Sequence, residues 1–294
     1  MGSGTVKISQ LRGVNEVRDF KRLNIYLSCI FLISFILLTF GVSLSDEIKV
    51  ATTIAPYRYF IEKIGAGIVK VTVLVPPGAD PHSYEPKPSV IKEVSGAEVY
   101  VKAGVPLEFE INWADKIISL NKKIFVINSS NGIKLINNDP HVWLSPKNAI
   151  IISKNICEGM CKYDSSNKKS YEKNYDKLKK ELTELDLKIK NILKNKKNSR
   201  FLVFHPAWLY FANEFGLEEI AIEKEGKEPT LRDLNQLLKD AKKNNIKIVV
   251  VSPEVSKKTA TLMAKELNAS VYVSNHLSVN YQQSLMELSE ALSK

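Results

Sequence analysis

The sequence is poor in cysteine, and this shortage excludes one class of exported protein. Its 294 residues contain three cysteines, which are too few for the disulfide framework of a small secreted domain. Cys157 and Cys161 lie four positions apart in a helical pattern, where the geometry for an S–S bridge is awkward. We therefore expect them to be buried thiols.

Arginine is also scarce, although the net charge is +10. Only six arginines occur, and three of them lie in the first 22 residues, so lysine carries most of the charge. No run of alternating basic and aromatic residues is present, which argues against a nucleic-acid partner. An apolar content of 44% is enough for a full core, and the length is typical of two domains.

Long apolar runs are confined to the N-terminus. A segment with five basic residues (1–22) precedes residues 23–44, which contain no charged side chain. This pattern predicts a signal peptide or membrane anchor over residues 1–45 and an extracytoplasmic location, at the cell surface or in the periplasm, for the rest. Cleavage after a small residue near Ser45 and retention as an uncleaved span both remain open. Cys29 lies too early in the run for lipid attachment.

One amphipathic helix is predicted over residues 171–196, because apolar residues recur at spacings of three and four with no Pro or Gly between them. At 1.5 Å per residue it would be about 39 Å long, roughly the length of a small domain. It can therefore brace two lobes. We predict an N-terminal α/β lobe at 46–165, the linking helix at 166–198 and a C-terminal α/β lobe at 199–294.

Both predicted lobes alternate short apolar strands with helical patterns. The first lobe begins with a strand that starts at Ile48 and is stopped by Pro56, and it includes others at 69–75, 99–102 and 124–127. The second lobe begins with the strand Phe201–Phe204, after which Pro206 is in a position suited to starting a helix. This alternation is typical of an α/β fold in which a mainly parallel sheet is flanked by helices. In such sheets ligands bind beyond the carboxyl ends of the strands.

Only four histidines occur, and each follows a predicted strand. They are His82, His141, His205 and His276. The first two belong to Asp-Pro-His tripeptides, in which proline stiffens the loop that carries the imidazole. Neutral imidazole is a common ligand of Zn²⁺, so the set predicts a metal site. Asp80 and Asp139 are candidates either for orienting the imidazoles or for capping turns.

The stretches ADPHSYEPKPS, DPHVWLSPKNA and FHPAWLYFANEFGL, with EPTLRDL and SKKTATLMAKEL after them, carry a family resemblance. Over about residues 46–294 the chain resembles the metal-binding solute-binding proteins of ABC transporters, of the TroA-like, zinc-uptake type. The resemblance implies two lobes joined by one rigid helix, with Zn²⁺ or Mn²⁺ held in the cleft. His82 and His141 would be ligands from the first lobe, and His205 would be the third ligand. A histidine at this third position favours zinc.

The fourth ligand departs from the family pattern. Members usually have Asp-Pro-Leu near the last strand, whereas this chain has Asn275-His276-Leu277. His276, the carbonyl oxygen of Asn275 or a water molecule could complete the site. The long His-rich insert of some zinc-binding members is missing, so the resemblance implies one metal site.

The expected function is capture of a divalent metal ion outside the cytoplasm and its delivery to an ABC-type permease, by a monomer that is not an enzyme. A zinc-dependent hydrolase is an alternative, since three imidazoles and water also form catalytic sites. Its candidate bases, Glu85 and Glu223, have no distinctive spacing. A surface adhesin of the same fold is a further alternative.

Overall fold

The computed structural model describes residues 47–196, 199–223, 230–253 and 257–294. Residues 47–294 form one compact unit. The predicted signal or anchor at 1–45 lies outside the described residues. Within the described ranges, no helix combines the length and the apolar character needed to cross a bilayer.

The first lobe is built on a four-stranded parallel sheet. Its strands are β1 Ile48–Thr52, β2 Val69–Val73, β3 Val99–Lys102 and β4 Phe125–Asn128, in the order β2-β1-β3-β4. Its helices are α1 Ala55–Gly65, α2 Pro88–Ser95, α3 Glu108–Leu120 and α4 Pro146–Tyr163. The central strand β3 is buried through Val101, which explains its near-continuous apolar sequence.

The long helix α5 spans Lys168–Leu193, three residues before the predicted range and of the same length, 26 residues. Its buried face contains Tyr171, Leu178, Leu182, Leu185, Asp186, Ile189 and Leu193. This face packs against α1 and α4 of the first lobe and against the final helix, α9 Tyr281–Ser293. The helix therefore contacts both halves of the molecule along its length.

The second lobe repeats the same arrangement. Its strands are β5 Arg200–Val203, β6 Glu218–Ala221, β7 Ile248–Val251 and β8 Ser270–Val273, all parallel in the order β6-β5-β7-β8. Its other helices are α6 Leu209–Phe215, α7 Leu231–Lys243 and α8 Lys257–Leu267. The predicted fold class, two α/β lobes joined by one long helix, is confirmed. In both sheets the strand order reverses beside the first strand, which opens a crevice at the carboxyl ends.

One continuous core runs through both lobes. It includes Tyr57 of the first lobe, Leu182 of α5, and Trp208 and Tyr281 of the second lobe, all nearly inaccessible to solvent. A smaller, separate cluster lies within the second lobe and includes Leu202, Val249, Met263 and Leu267. Because the larger core crosses the boundary between the lobes, wide opening of the molecule would expose buried apolar surface.

The start of α6 differs from the expectation that Pro206 begins a helix. The helix begins at Leu209, and the preceding residues form a bend. The backbone N–H of Trp208 donates to Glu219 Oε1 at 2.8 Å. The segment after β5 thus turns around a half-buried carboxyl group before it becomes helical, and this longer turn carries His205.

Candidate metal site between the lobes

The four histidines meet in one place. His82, His141 and His205 each offer a ring nitrogen within 4.8 Å of the other two. Their ring centroids are 5.1 to 5.5 Å apart. The ring of His276 lies 5.6 Å from those of both His141 and His205. Three imidazoles therefore face one small volume, whereas the ring of His276 lies beside two of them and, among the described residues, has no nitrogen in this mutually close set.

Asp-Pro-His turns position the two imidazoles of the first lobe. Asp80 Oδ1 accepts the backbone N–H of His82 at 2.9 Å, and Asp139 Oδ1 accepts that of His141 at 2.7 Å. Asp139 Oδ1 also lies 2.9 Å from Nδ1 of the His141 ring. Asp80 is therefore a turn cap, whereas Asp139 both caps the turn and orients the imidazole.

The other imidazoles also have a partner at Nδ1. Glu108 Oε2 lies 2.5 Å from Nδ1 of His82, and Glu223 Oε2 lies 3.4 Å from Nδ1 of His205. Ser252 Oγ lies 3.0 Å from Nδ1 of His276. These contacts occupy Nδ1, so in His82, His141 and His205 the nitrogen left to bind a metal is Nε2.

Three of the Nε2 atoms are buried without a hydrogen-bond partner among the residues that the structure describes. They belong to His82, His141 and His205. Buried polar atoms without partners are rare because each loses its hydrogen bonds to water. Three such atoms that face one another are the arrangement expected of a preformed metal site.

Burial sets the charge state of the deepest groups. Desolvation lowers the pKa of His141 and of His276 well below 6.5, and the charges of neighbouring histidines add to this effect. Both rings are therefore uncharged at neutral pH, as a metal ligand must be. Burial raises the pKa of Asp139 to about 6, opposed by the hydrogen bond from the backbone N–H of His141.

The side chain of Asn275, an alternative metal ligand, is hydrogen-bonded to the backbone. Its Oδ1 accepts the N–H of Leu277 at 2.8 Å, which forms a local turn. The carbonyl oxygen of the next residue, His276, accepts the indole N–H of Trp143 at 2.8 Å. A contact between the lobes thus holds the backbone at His276, and its ring lies 5.6 Å from those of His141 and His205.

Sequence reasoning did not identify Glu108 or Ser252 as partners of the imidazoles. Glu108 opens α3, 26 residues after His82, and no local pattern marks it. Ser252 had a signal that could have been used. It follows β7, the neighbour of β8, and the pairing of Val251 with Val273 places Ser252 beside the chain that leads to His276.

The family assignment follows from the sequence of the whole lobed region. Residues 50–294 match the family model described as zinc-uptake complex component A, periplasmic (ZnuA). The chain belongs to this family, and its resemblance to metal-binding proteins of ABC transporters is confirmed.

Individual relatives agree with the family. The chain is 31% identical over 256 residues to the high-affinity zinc uptake system protein ZnuA of Bacillus subtilis, with 80% of each chain covered. It is 28% identical to the manganese ABC transporter substrate-binding lipoprotein PsaA of Streptococcus pneumoniae, covering 78% of this chain and 80% of that protein. A crystal structure of ZnuA superposes with a TM-score of 0.81 at 35% identity, covering 84% of this chain and 98% of the other.

Proposed function

We propose that this protein binds Zn²⁺ outside the cytoplasm, between its two lobes, and delivers it to an ABC-type membrane permease. The observation that carries this proposal is the set of three buried, unpartnered Nε2 atoms. His82, His141, His205 and His276 would bind the ion. Residues 46–165 and 199–294 would each contribute two ligands, and helix α5 within the linking segment would fix the distance between them.

The spacing of the rings supports a tetrahedral site. With a Zn–N bond of about 2.1 Å, a ring centroid lies about 3.2 Å from the metal, so tetrahedral neighbours would be about 5.2 Å apart. Five centroid separations among the four rings are 5.1 to 5.6 Å. The ligand nitrogens of such a site would be about 3.4 Å apart, so those of His82, His141 and His205, now within 4.8 Å of one another, would close in by up to about 1.4 Å on capture.

Outer carboxylates supply negative charge that the ligand set lacks. Family members usually place an aspartate where this chain has Asn275, so four neutral imidazoles would surround a dication. Glu108, Asp139 and Glu223 each contact Nδ1 of one imidazole. A carboxylate at that position increases the basicity of the ring and partly balances the charge of the ion.

The nitrogen donors favour zinc over manganese. Mn²⁺ prefers carboxylate, carbonyl and water oxygen, whereas imidazole suits Zn²⁺. Four imidazoles would also fill the tetrahedral coordination sphere and leave no position for a reactive water. This is the reason for proposing a binding protein in place of a hydrolase. Hydrolysis of ester and phosphoester substrates by the zinc-loaded protein should equal the rate without protein.

Calorimetry on His205→Ala tests the site. Removal of one of four ligands from a rigid cage should abolish tight Zn²⁺ binding, whereas Lys154→Ala, an exposed residue on α4, should bind as the wild type does. The melting temperature of the metal-free variant shows whether it remains folded. A folded His205→Ala protein with wild-type affinity would remove His205 from the site.

Fluorescence gives an independent readout. The Trp143 ring lies 5.2 Å from that of His141, so zinc binding should change its emission.

In cells, deletion of the gene should impair growth under zinc limitation, and added zinc should restore it. A defect that zinc does not relieve would favour the adhesin alternative. We also propose a monomer without a nucleic-acid partner, which light scattering with and without DNA would check.

A further inference from the structure

Two cysteines lie on α4, away from the histidines. Cys157 and Cys161 are one helical turn apart, and their Sγ atoms are 4.0 Å from each other. Cys157 is 4% exposed, and Cys161 is half-buried. Together with Tyr175 of α5 they line a surface groove of about 390 Å³ between α4 and α5. Both thiols are therefore free and reachable from one opening.

The helix keeps these thiols from forming a disulfide with each other. Residues four apart on a helix have Cβ atoms about 5 to 6 Å apart, whereas a disulfide needs about 3.5 to 4.5 Å. Closing that gap would distort α4 where it packs on the long helix α5. A disulfide between Cys157 and Cys161 would therefore destabilise the folded helix.

The same spacing suits a metal ion that bridges the sulfur atoms. Two thiolates bound to a tetrahedral ion at about 2.3 Å lie about 3.8 Å apart, and slightly further apart for a larger ion. The observed distance between the Sγ atoms is 4.0 Å. An ion could therefore bind both sulfurs without any change in the helix backbone.

The surroundings favour a divalent ion over free thiolates. Burial raises the pKa of Cys157 to about 12, with a further contribution from the neighbouring Cys161. The metal-free pair is thus protonated and resists oxidation. A divalent ion M²⁺ displaces both protons, according to M²⁺ + 2 RSH → M(SR)₂ + 2 H⁺. The product is neutral, which suits a half-buried position.

The site is open on its outer side. In the part of the chain that the structure describes, no third His, Cys or carboxylate lies within 4.8 Å of both sulfur atoms. Glu158 and Glu172, which also line the groove, are paired with Lys154 and Lys168 at 3.5 and 3.8 Å. Water would complete the coordination sphere.

We propose that Cys157 and Cys161 form a second metal site, which binds a thiophilic divalent ion such as Cd²⁺ independently of the histidines. Soft thiolate donors and the open outer side distinguish it from the imidazole cage. The proposal does not depend on the transport function. It differs from the single site that the family resemblance implies.

Cadmium titration of the full-length chain tests this proposal. Cys29 is first replaced by serine, and zinc is added so that the histidine site is occupied. Added Cd²⁺ should produce the ultraviolet charge-transfer absorption of a cadmium–thiolate bond, saturating at one equivalent with two protons released. Cys157→Ser and Cys161→Ser, each in the Cys29→Ser background, should both lose this absorption.

A second background separates the two sites. His205→Ala, combined with Cys29→Ser, should retain the full cadmium–thiolate absorption even though its zinc binding is impaired. Cys161 is half-buried, so Cys161→Ser should keep the fold, which the melting temperature verifies. Absence of the absorption in the Cys29→Ser protein, or its persistence in folded Cys161→Ser, would overturn the second site and leave the histidine site untouched.

Discussion

The two lobes place their histidines by different means. In the first lobe His82 comes nine residues after the end of β2, and His141 comes thirteen after β4. In the second lobe His205 and His276 follow β5 and β8 by two and three residues. Distance from a strand must be offset by local rigidity, which the Asp-Pro turns provide in the first lobe. In the second lobe the sheet itself positions the imidazoles.

The surroundings of the imidazoles differ in the same way. In the first lobe His82 contacts Glu108, whose side chain is 48% exposed, and His141 contacts Asp139, whose side chain is 11% exposed. In the second lobe His276 has a hydroxyl partner, Ser252. The first lobe thus places a carboxylate at both of its imidazoles, whereas the second lobe places one, Glu223, at His205 and a neutral hydroxyl at His276.

The largest expected effect tests whether the lobes contribute equally. His141→Ala and His276→Ala should each reduce zinc affinity by at least about 100-fold, because loss of a ligand should exceed the 10- to 100-fold cost of losing an outer partner. Calorimetry measures both affinities. If water or Asn275 is the fourth donor, only His141→Ala will have this effect.

The next effect concerns the carboxylates of the first lobe. Asp139→Asn should weaken zinc binding by about 10- to 100-fold. Glu108→Gln should have a smaller effect, since solvent screens an exposed charge more strongly. Asp80→Asn is the matched control, because Asp80 caps the backbone and does not contact the ring. Equal losses in all three variants would show that turn geometry, and not charge, governs affinity.

The junction of the lobes should respond to pH through Glu214 of α6. Its side chain is 4% exposed and accepts a hydrogen bond from Ser145, at the start of α4. Burial raises the pKa of Glu214 from 4.5 to about 7, with Ser145 opposing the rise and Asp186 of α5 adding to it.

A carboxyl group whose pKa rises on folding takes up a proton in the folded state. Its contribution to stability is therefore complete below about pH 4.5 and is lost as the pH rises to about 7. Glu214→Gln, which resembles the protonated form, should remove this part of the pH dependence of thermal unfolding. An unchanged profile in Glu214→Gln would mean that other groups cause it.

The smallest effect compares helix caps at the junction and at the outer surface. Thr230 forms a capping box with Asp233 at the start of α7, so Thr230→Ala should cost about 1 kcal/mol in chemical denaturation. Ser145 caps α4 and also contacts Glu214, so Ser145→Ala should cost more. Equal costs would mean that the contact between Ser145 and Glu214 adds nothing to stability.

Local sequence patterns were sufficient to predict the main helices and strands and to single out the histidines. A short apolar run gave the bounds of β3 at Val99–Lys102, and the spacing of apolar residues gave the length of α5, which begins three residues earlier than predicted. The four histidines stood out because none lies within a helix or strand. The resemblance then supplied the two-lobed arrangement.

Contacts between distant segments could not be predicted from local sequence patterns. Pro206 suggested a helix start, but the carboxyl group of Glu219, eleven residues past Trp208, holds the chain in a bend. Glu108 reaches His82 only because the loop that carries the histidine folds over α3, where the N–H of Phe109 donates to the Pro81 carbonyl. Such partners depend on tertiary packing, which periodicity does not encode.

The clasp formed by Trp143 has a kinetic consequence. Its indole N–H reaches the carbonyl of His276, and its own carbonyl accepts the hydroxyl of Tyr281 at 2.7 Å, so one aromatic residue ties both halves. A cage held in this way is assembled before its cargo arrives. The rate of metal entry should then be limited by the loss of water from the ion. Metal release should require that another protein break the hydrogen bonds of Trp143. Contact with the permease would thus trigger release of the metal.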